Sequence, residues 1–285
     1  MCDAISSRDM SEKASIAMER DLLEKSVPRR GDRMFFSSFR KPRSEQKRPE
    51  PRIPDGIRLY VIGAVHGRDD LLDVLCGTIE KDMTATPCGR ANIVFLGDYI
   101  DRGLQSAEVV ERIVSGRTPA PVVALRGNHE AILLQFLEDE NVLDSWRRYG
   151  AMETLLSYGV DVKEVLRGRG FGAAQAELRE KMPAAHRRFF EDTKLSWSLG
   201  DYFFCHAGCR PNVPLTRQQE GDLLWMREEF LDFSGSWDKV IVHGHTPAPE
   251  PEALPHRINL DTGAYATGRL TCLVLDGSTP RFLST

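Results

Sequence analysis

The chain has little of what a secreted, membrane-spanning or nucleic-acid-coating protein needs. Six cysteines at irregular spacing in 285 residues make no disulfide framework, so a reducing cytoplasm is the expected setting. No apolar run approaches the roughly 18–20 residues of a membrane helix, and charges interrupt every candidate signal stretch near the start. A formal net charge of −4 argues against a sequence-specific nucleic-acid partner for the molecule as a whole. What remains is ordinary: 41% hydrophobic and 28% charged residues, long enough to bury a core without a structural metal.

Composition shifts near residue 56. Residues 1–56 carry 13 Lys/Arg and 10 Asp/Glu, and the remainder carries 25 and 32. Ten of those basic residues lie between Lys25 and Arg52, interspersed with Pro28, Pro42, Pro49 and Pro51. Such a segment buries too little apolar surface to offset its ordering entropy. It is expected to be a disordered basic tail, with docking to an acidic partner as its candidate role. The domain proper is expected at 57–285.

Within that domain strands and helices alternate, which predicts an α/β core. Ile57–Gly63, Ala91–Gly97 and Pro121–Leu125 read as buried strands. Asp69–Ile79, Gln105–Val114 and His129–Leu137 read as helices between and after them. A helical insert is predicted over 141–192, its first helix running from Leu143 to Tyr158. Strands are then expected at Leu195–Leu199, Tyr202–Cys205, Val240–His243, Arg257–Leu260 and Leu270–Leu275.

The polar residues gather where strands end. The strand beginning at Ile57 runs into Gly63-Ala64-Val65-His66-Gly67, and the next into Gly97-Asp98-Tyr99-Ile100-Asp101-Arg102-Gly103. Later ones run into Arg126-Gly127-Asn128-His129-Glu130, His206-Ala207-Gly208 and His243-Gly244-His245-Thr246. The carboxyl ends of strands line the crevice of an open α/β sheet, so these loops should meet on one rim. Imidazoles and carboxylates gathered there suit Mn²⁺, Fe or Zn²⁺. Cys205 and Cys209 flank His206, but buried apolar packing is the commoner role for such thiols.

The ordered set G-x-x-H-G, G-D-x-x-D-R-G, G-N-H-E, H-A-G and G-H-T resembles the calcineurin-like metallophosphoesterases. It is most similar to the PPP-type serine/threonine phosphatases of the bacterial and phage kind, a group related to symmetrical diadenosine tetraphosphatases. The resemblance covers 57–285, and Leu223–Phe230 and Asn259–Ala264 add to it. It implies a two-sheet α/β sandwich flanked by helices, with two divalent metal ions, Mn²⁺ foremost and Fe or Zn²⁺ as alternatives. By the same resemblance Asp98 bridges both ions, His66 ligates the first, and Asn128, His206 and His245 ligate the second. His129 is the expected general acid, held by Asp101. Arg102, Arg126 and, less securely matched, Arg227 are the expected phosphate contacts. His243 is expected to be structural.

The implied reaction is direct attack of a metal-activated water on a phosphomonoester, with phosphoserine or phosphothreonine in proteins as the leading substrate. A dinucleoside tetraphosphate, cleaved symmetrically, and a phospho-binding protein of little activity are the alternatives. One position departs from the pattern: Ala64 stands where the family's G-D-x-H-G carries an aspartate that ligates the first metal. A weakened first site follows, and Asp69 and Asp70 are not expected to replace the lost carboxylate. A natural low-activity enzyme, an introduced inactivating change, and an enzyme that tolerates the loss at high metal concentration all fit. Because every other matched position is present, a single change in an active scaffold is the favoured account.

Overall fold

The computed structural model describes residues 50–285. The basic tail proposed above lies outside the described residues except for its last seven positions, and those are not loose. Ile53 is fully buried and its N–H donates to the Gly277 carbonyl at 3.1 Å. Arg52 and Asp201 exchange two hydrogen bonds, each 3.0 Å. Residues 52 and 53 therefore pack with the domain expected at 57–285; the composition of 50–56 hid one apolar anchor among prolines and charges.

Two five-stranded mixed sheets form the core. The first is built from β1 (Ile57–Ile62), β2 (Arg90–Phe95), β3 (Val122–Ala124), β9 (Thr271–Asp276) and β10 (Thr279–Ser284), in the order β10-β9-β1-β2-β3. The second contains β4 (Ser196–Leu199), β5 (Tyr202–Cys205), β6 (Val240–His243), β7 (Glu252–Ala253) and β8 (Arg257–Asn259), ordered β4-β5-β6-β8-β7. In the first sheet β1, β2 and β3 pair in parallel, with β9 and β10 antiparallel beyond β1; in the second β5, β6 and β8 pair in parallel, with β4 and β7 antiparallel at the edges.

Strand alternation assigns the apolar residues of the first sheet to one of two layers. Leu59, Val61, Val94, Leu96, Leu273 and Leu275 face Tyr202, Phe204, Val240, Val242 and Ile258 between the sheets. Their neighbours Tyr60, Ile62, Ile93, Phe95, Cys272 and Val274 face outward into a helical layer. That layer includes Leu72, Leu75 and Ile79 of α1 (Asp69–Ala85) and Val109, Val110 and Ile113 of α2 (Ser106–Val114). It also takes Leu133 and Phe136 of α3 (Asn128–Glu138). Burial on both faces explains why these strands read as unbroken apolar runs.

The insert differs from its expected form. In place of one helix over Leu143–Tyr158, α4 (Leu143–Trp146) and α5 (Ala151–Ser157) are separated by a short turn ending at Gly150, φ 99°. Gly150 accepts the Arg102 N–H at 3.2 Å, and a Cβ there would lie 2.5 Å from the Arg102 nitrogen. Only glycine permits both the left-handed turn and that approach. Three short helices complete the insert: α6 (Lys163–Leu166), α7 (Phe171–Lys181) and α8 (Ala184–Asp192). Later in the chain come α9 (Glu220–Trp225), α10 (Glu228–Leu231) and α11 (Ala264–Thr267). Among the described residues, no helix is long and apolar enough to cross a membrane.

Candidate metal centre

The loops after β1, β2, β3, β5 and β6 meet at one end of the sandwich. Two groups of possible metal ligands form there, His66 with Asp98 and His129, and Asp98 with His206 and His245. Asp98 belongs to both. The local backbone is unusual: of six non-glycine residues with positive φ among the described residues, five are His66, Asp98, Asp101, Arg102 and His245. Such left-handed residues are uncommon and persist where surrounding contacts enforce them.

Those contacts are visible. Val65 and His66 N–H groups both donate to the Asp98 carbonyl, at 3.0 and 2.8 Å. Glu130, fully buried, accepts from the backbone N–H of Asp98, Tyr99 and Gly127 at 2.8–2.9 Å. Burial and the charge of Asp98 push its carboxyl up to about 7, against the pull of those donors. Glu130 thus ties the β2 loop to the start of α3. A Cβ on Gly127 would meet the Asp98 backbone nitrogen at 2.4 Å, so the two loops are in backbone contact.

The imidazoles are fixed as neutral acceptors. His66 Nδ1 lies 2.9 Å from the Ile100 carbonyl, so it carries the proton and leaves the Nε2 lone pair free, 3.4 Å from Asp98 Oδ2. His206 Nδ1 likewise faces the Leu96 carbonyl at 2.8 Å. Its Nε2 stands 2.9 Å from Asn128 Oδ1, 3.2 Å from His245 Nδ1 and 3.4 Å from Asp98 Oδ1. Burial holds His66 and His245 down to about 3 and lowers His206 as well. Burial resists ionisation of Asp98, but the four histidines around it, protonated His129 among them, hold the carboxyl well below its usual range. Lone pairs from a carboxylate, an amide and two imidazoles thus converge with few hydrogens to separate them. That donor set fits a divalent cation, because neutral imidazole and carboxylate are the metal-binding forms.

His129 differs from the other histidines. Its Nδ1 is 2.6 Å from Asp101 Oδ2. Burial opposes protonation, yet Asp98 and the Asp101 hydrogen bond raise its pKa to about 9. Asp101 is completely buried and accepts two more bonds, from Trp146 Nε1 at 2.7 Å and Thr154 Oγ1 at 2.5 Å. Trp146 and Thr154 were not legible as site residues, because they lie in the insert on either side of the Gly150 break, outside every motif.

The arginines separate. The Arg102 guanidinium stands 4.5 Å over the Tyr265 ring, beside His66. Arg227 is exposed, and its charge helps to lower the pKa of His245. Arg126 points elsewhere: its guanidinium donates to the carbonyls of Phe190 and Glu191 and to Thr193 Oγ1, at 3.0–3.2 Å. Its planar donors satisfy carbonyls at the end of α8, groups that a helix leaves unpaired.

Ala64 is buried and has no donor atom. Among the described residues, the group around His66 contains one carboxylate, Asp98. Asp69 is held by Arg112 at 2.6 and 2.9 Å, and Asp70 by Arg68 at 2.7 and 2.8 Å. His243 packs edge-on against Phe230 at 4.8 Å, outside both ligand groups. Cys205 and Cys209 are buried and belong to neither group.

The chain belongs to the calcineurin-like phosphoesterase family, whose model matches residues 57–268. It is 26% identical over 234 residues to the bis(5′-nucleosyl)-tetraphosphatase PrpE (asymmetrical) of Anoxybacillus flavithermus, covering 75% of this chain and 88% of that protein. The protein of the same name from Bacillus cereus is 28% identical over 239 residues, with the same coverage. Among solved structures, one described as a "putative diadenosine tetraphosphatase" aligns with a TM-score of 0.54 at 20% identity, covering 80% of this chain and 93% of that one. A cold-active protein-tyrosine phosphatase from a Shewanella species aligns at 0.50 and 17%, covering 81% and 83%. At these identities the structural matches establish the fold alone.

Proposed function

We propose that this phosphoesterase hydrolyses dinucleoside tetraphosphates by direct attack of water at a dinuclear metal site. Asp98 would bridge two cations, with His66 on the first and Asn128, His206 and His245 on the second. Mn²⁺ is the proposed occupant; Fe and Zn²⁺ suit the same donors. Bound there, the cations would neutralise phosphoryl oxygens and make water acidic enough to attack near neutral pH. Arg102 and Arg227 would take phosphate oxygens through planar guanidinium donors. His129 holds a proton on the side away from Asp101 and can give it to the departing oxygen. A general acid of this kind contributes about 10²–10⁴-fold.

The observation that carries this reading is geometric: His66, His206 and His245 converge on the shared carboxylate Asp98, while His129 Nδ1 is held at 2.6 Å by Asp101. The choice of a nucleotide substrate rests on the relatives named as asymmetrical tetraphosphatases. Those names favour asymmetric cleavage over the symmetric cleavage that the sequence reading held as an alternative. Phosphoserine and phosphothreonine in proteins form the second reading, favoured by the exposed position of Arg227, which an extended chain can reach.

The test is product analysis. Metal-loaded protein given diadenosine tetraphosphate should release ATP and AMP, at a kcat/KM well above that for a phosphoserine peptide. Two ADP would restore the symmetrical reading. Turnover of the peptide alone would restore the protein phosphatase.

A further inference from the structure

Four aromatic side chains are strongly exposed among the described residues: Tyr149, Trp225, Tyr265 and Phe282. Three of them stand at the candidate metal centre, each edge-on to a different histidine. Tyr265 meets His66 at 5.4 Å and 82°, Tyr149 meets His129 at 6.4 Å and 83°, and Trp225 meets His245 at 6.3 Å and 82°. Their exposures are 39%, 44% and 43%. Leaving three large rings in water is unfavourable, and single exposed apolar residues are ordinarily scattered rather than gathered around one site.

The Arg102 guanidinium lies over the Tyr265 ring, and the Arg102 backbone N–H donates to the carbonyl of Gly150, the residue after Tyr149. Arg227 is two residues beyond Trp225, and both are exposed. Tyr149 and Tyr265 flank the group formed by His66 and His129, while Trp225 flanks the group formed by His206 and His245. Planar apolar faces therefore stand on both sides of Asp98, with the Arg102 cation over one of them. A nucleotide presents the matching series, a flat base joined through a sugar to phosphate. A phosphoserine chain presents the phosphate without a ring. Aromatic faces accept any base, because each base has a π-face, and stacking is a substantial part of affinity where it occurs.

We propose that Tyr149, Trp225 and Tyr265 are stacking platforms for the nucleobase of the substrate, and that this rim gives the phosphoesterase its preference for nucleotides. The proposal rests on the nucleotide reading above and adds the residues that enforce it. Tyr265 has a second task, since its ring fixes Arg102; Trp225 and Tyr149 are the cleaner probes.

Binding of AMP and of ribose 5-phosphate to the full chain with Mn²⁺ present, followed by calorimetry, tests this without turnover. AMP should bind at least about fivefold more tightly, the lower end of base stacking on an aromatic ring. That advantage should fall in Trp225→Leu or Tyr149→Leu and vanish in the double variant, with thermal melts confirming that each variant folds. Equal binding of the two ligands by the unaltered chain overturns the proposal, as does an AMP advantage that survives the double variant. O-phosphotyrosine and phosphoserine form the second arm: a phosphotyrosine advantage larger than that of AMP assigns the rim to aryl phosphates and also overturns it. An AMP advantage in a chain that leaves diadenosine tetraphosphate intact would sink the proposed reaction and keep the rim. Hydrolysis without any AMP advantage would do the reverse.

Discussion

Placing a carboxylate at position 64, Ala64→Asp, should have two opposite effects that one titration separates. The backbone at this position is pinned, because Val65 and His66 both donate to the Asp98 carbonyl. A carboxylate at 64 would consequently enter beside the buried Asp98. Without metal, two carboxylates about 5 Å apart at an effective dielectric of about 20 repel by roughly 3 kcal/mol. The metal-free variant should therefore melt below the unaltered chain. With metal the sign reverses, since the first ion gains a third protein ligand after His66 and Asp98. Partners that merely orient a ligand are worth about 10–100-fold in metal affinity, so a direct charged ligand should give at least tenfold. Binding to the native state stabilises it in proportion to the logarithm of metal concentration over Kd. Thermal melts across a Mn²⁺ series should then cross, with the variant less stable in chelator and more stable in excess metal. Elemental analysis after dialysis should rise from near one ion per chain towards two, and turnover at low Mn²⁺ at least tenfold. Parallel melting curves at all metal concentrations, with equal metal content, would refute the assignment of this loop to the first ion.

Other expectations follow from single contacts. His129→Asn should slow esters with poor leaving groups by about 10²–10⁴-fold and p-nitrophenyl phosphate far less; an equal loss on both would leave His129 only a positioning role. Arg126→Met should lower stability by about 1–3 kcal/mol, read from denaturant midpoints, by freeing the carbonyls at the end of α8. Its KM for small phosphate esters should change far less than that of Arg102→Ala, and matching KM rises would return Arg126 to the phosphate site. Removal of residues 1–49 should preserve the melting temperature, whereas Ile53→Ala should cost about 2–5 kcal/mol. Unchanged stability in Ile53→Ala would show that the segment before β1 is not part of the fold.

Most strands were legible because burial on both faces writes them as short apolar runs bounded by glycine, as in Ile57–Ile62 and Tyr202–Cys205. β10 was missed because its residues alternate exposed and half-buried at a sheet edge, where Thr279, Pro280 and Arg281 give no apolar signal. The gathering of His66, Asp98, Asn128, His206 and His245 was readable because every one follows a strand, and the sheet topology brings those ends together. The direction of a long side chain was not. Arg126 sits beside Asn128 in sequence but extends to the end of α8. Trp146 and Thr154 reach Asp101 through a helix break that depends on Gly150 lying against Arg102, a tertiary contact with no local signature. The aromatic rim escaped notice for the same reason: Tyr149, Trp225 and Tyr265 are far apart in the chain and become neighbours of the histidines only on folding.

The five left-handed backbones at the site carry a consequence for anyone seeking a hardier version of this protein. Each sparsely populated conformation costs on the order of 1–3 kcal/mol, and glycine would relieve much of it at His66, Asp98, Asp101, Arg102 or His245. A screen that rewards heat resistance alone should accordingly be drawn to these positions and return robust, inert variants. Thermostabilising libraries for this chain are better built with the five codons held fixed, leaving improvement to surfaces remote from the centre, where resilience and turnover are not in competition.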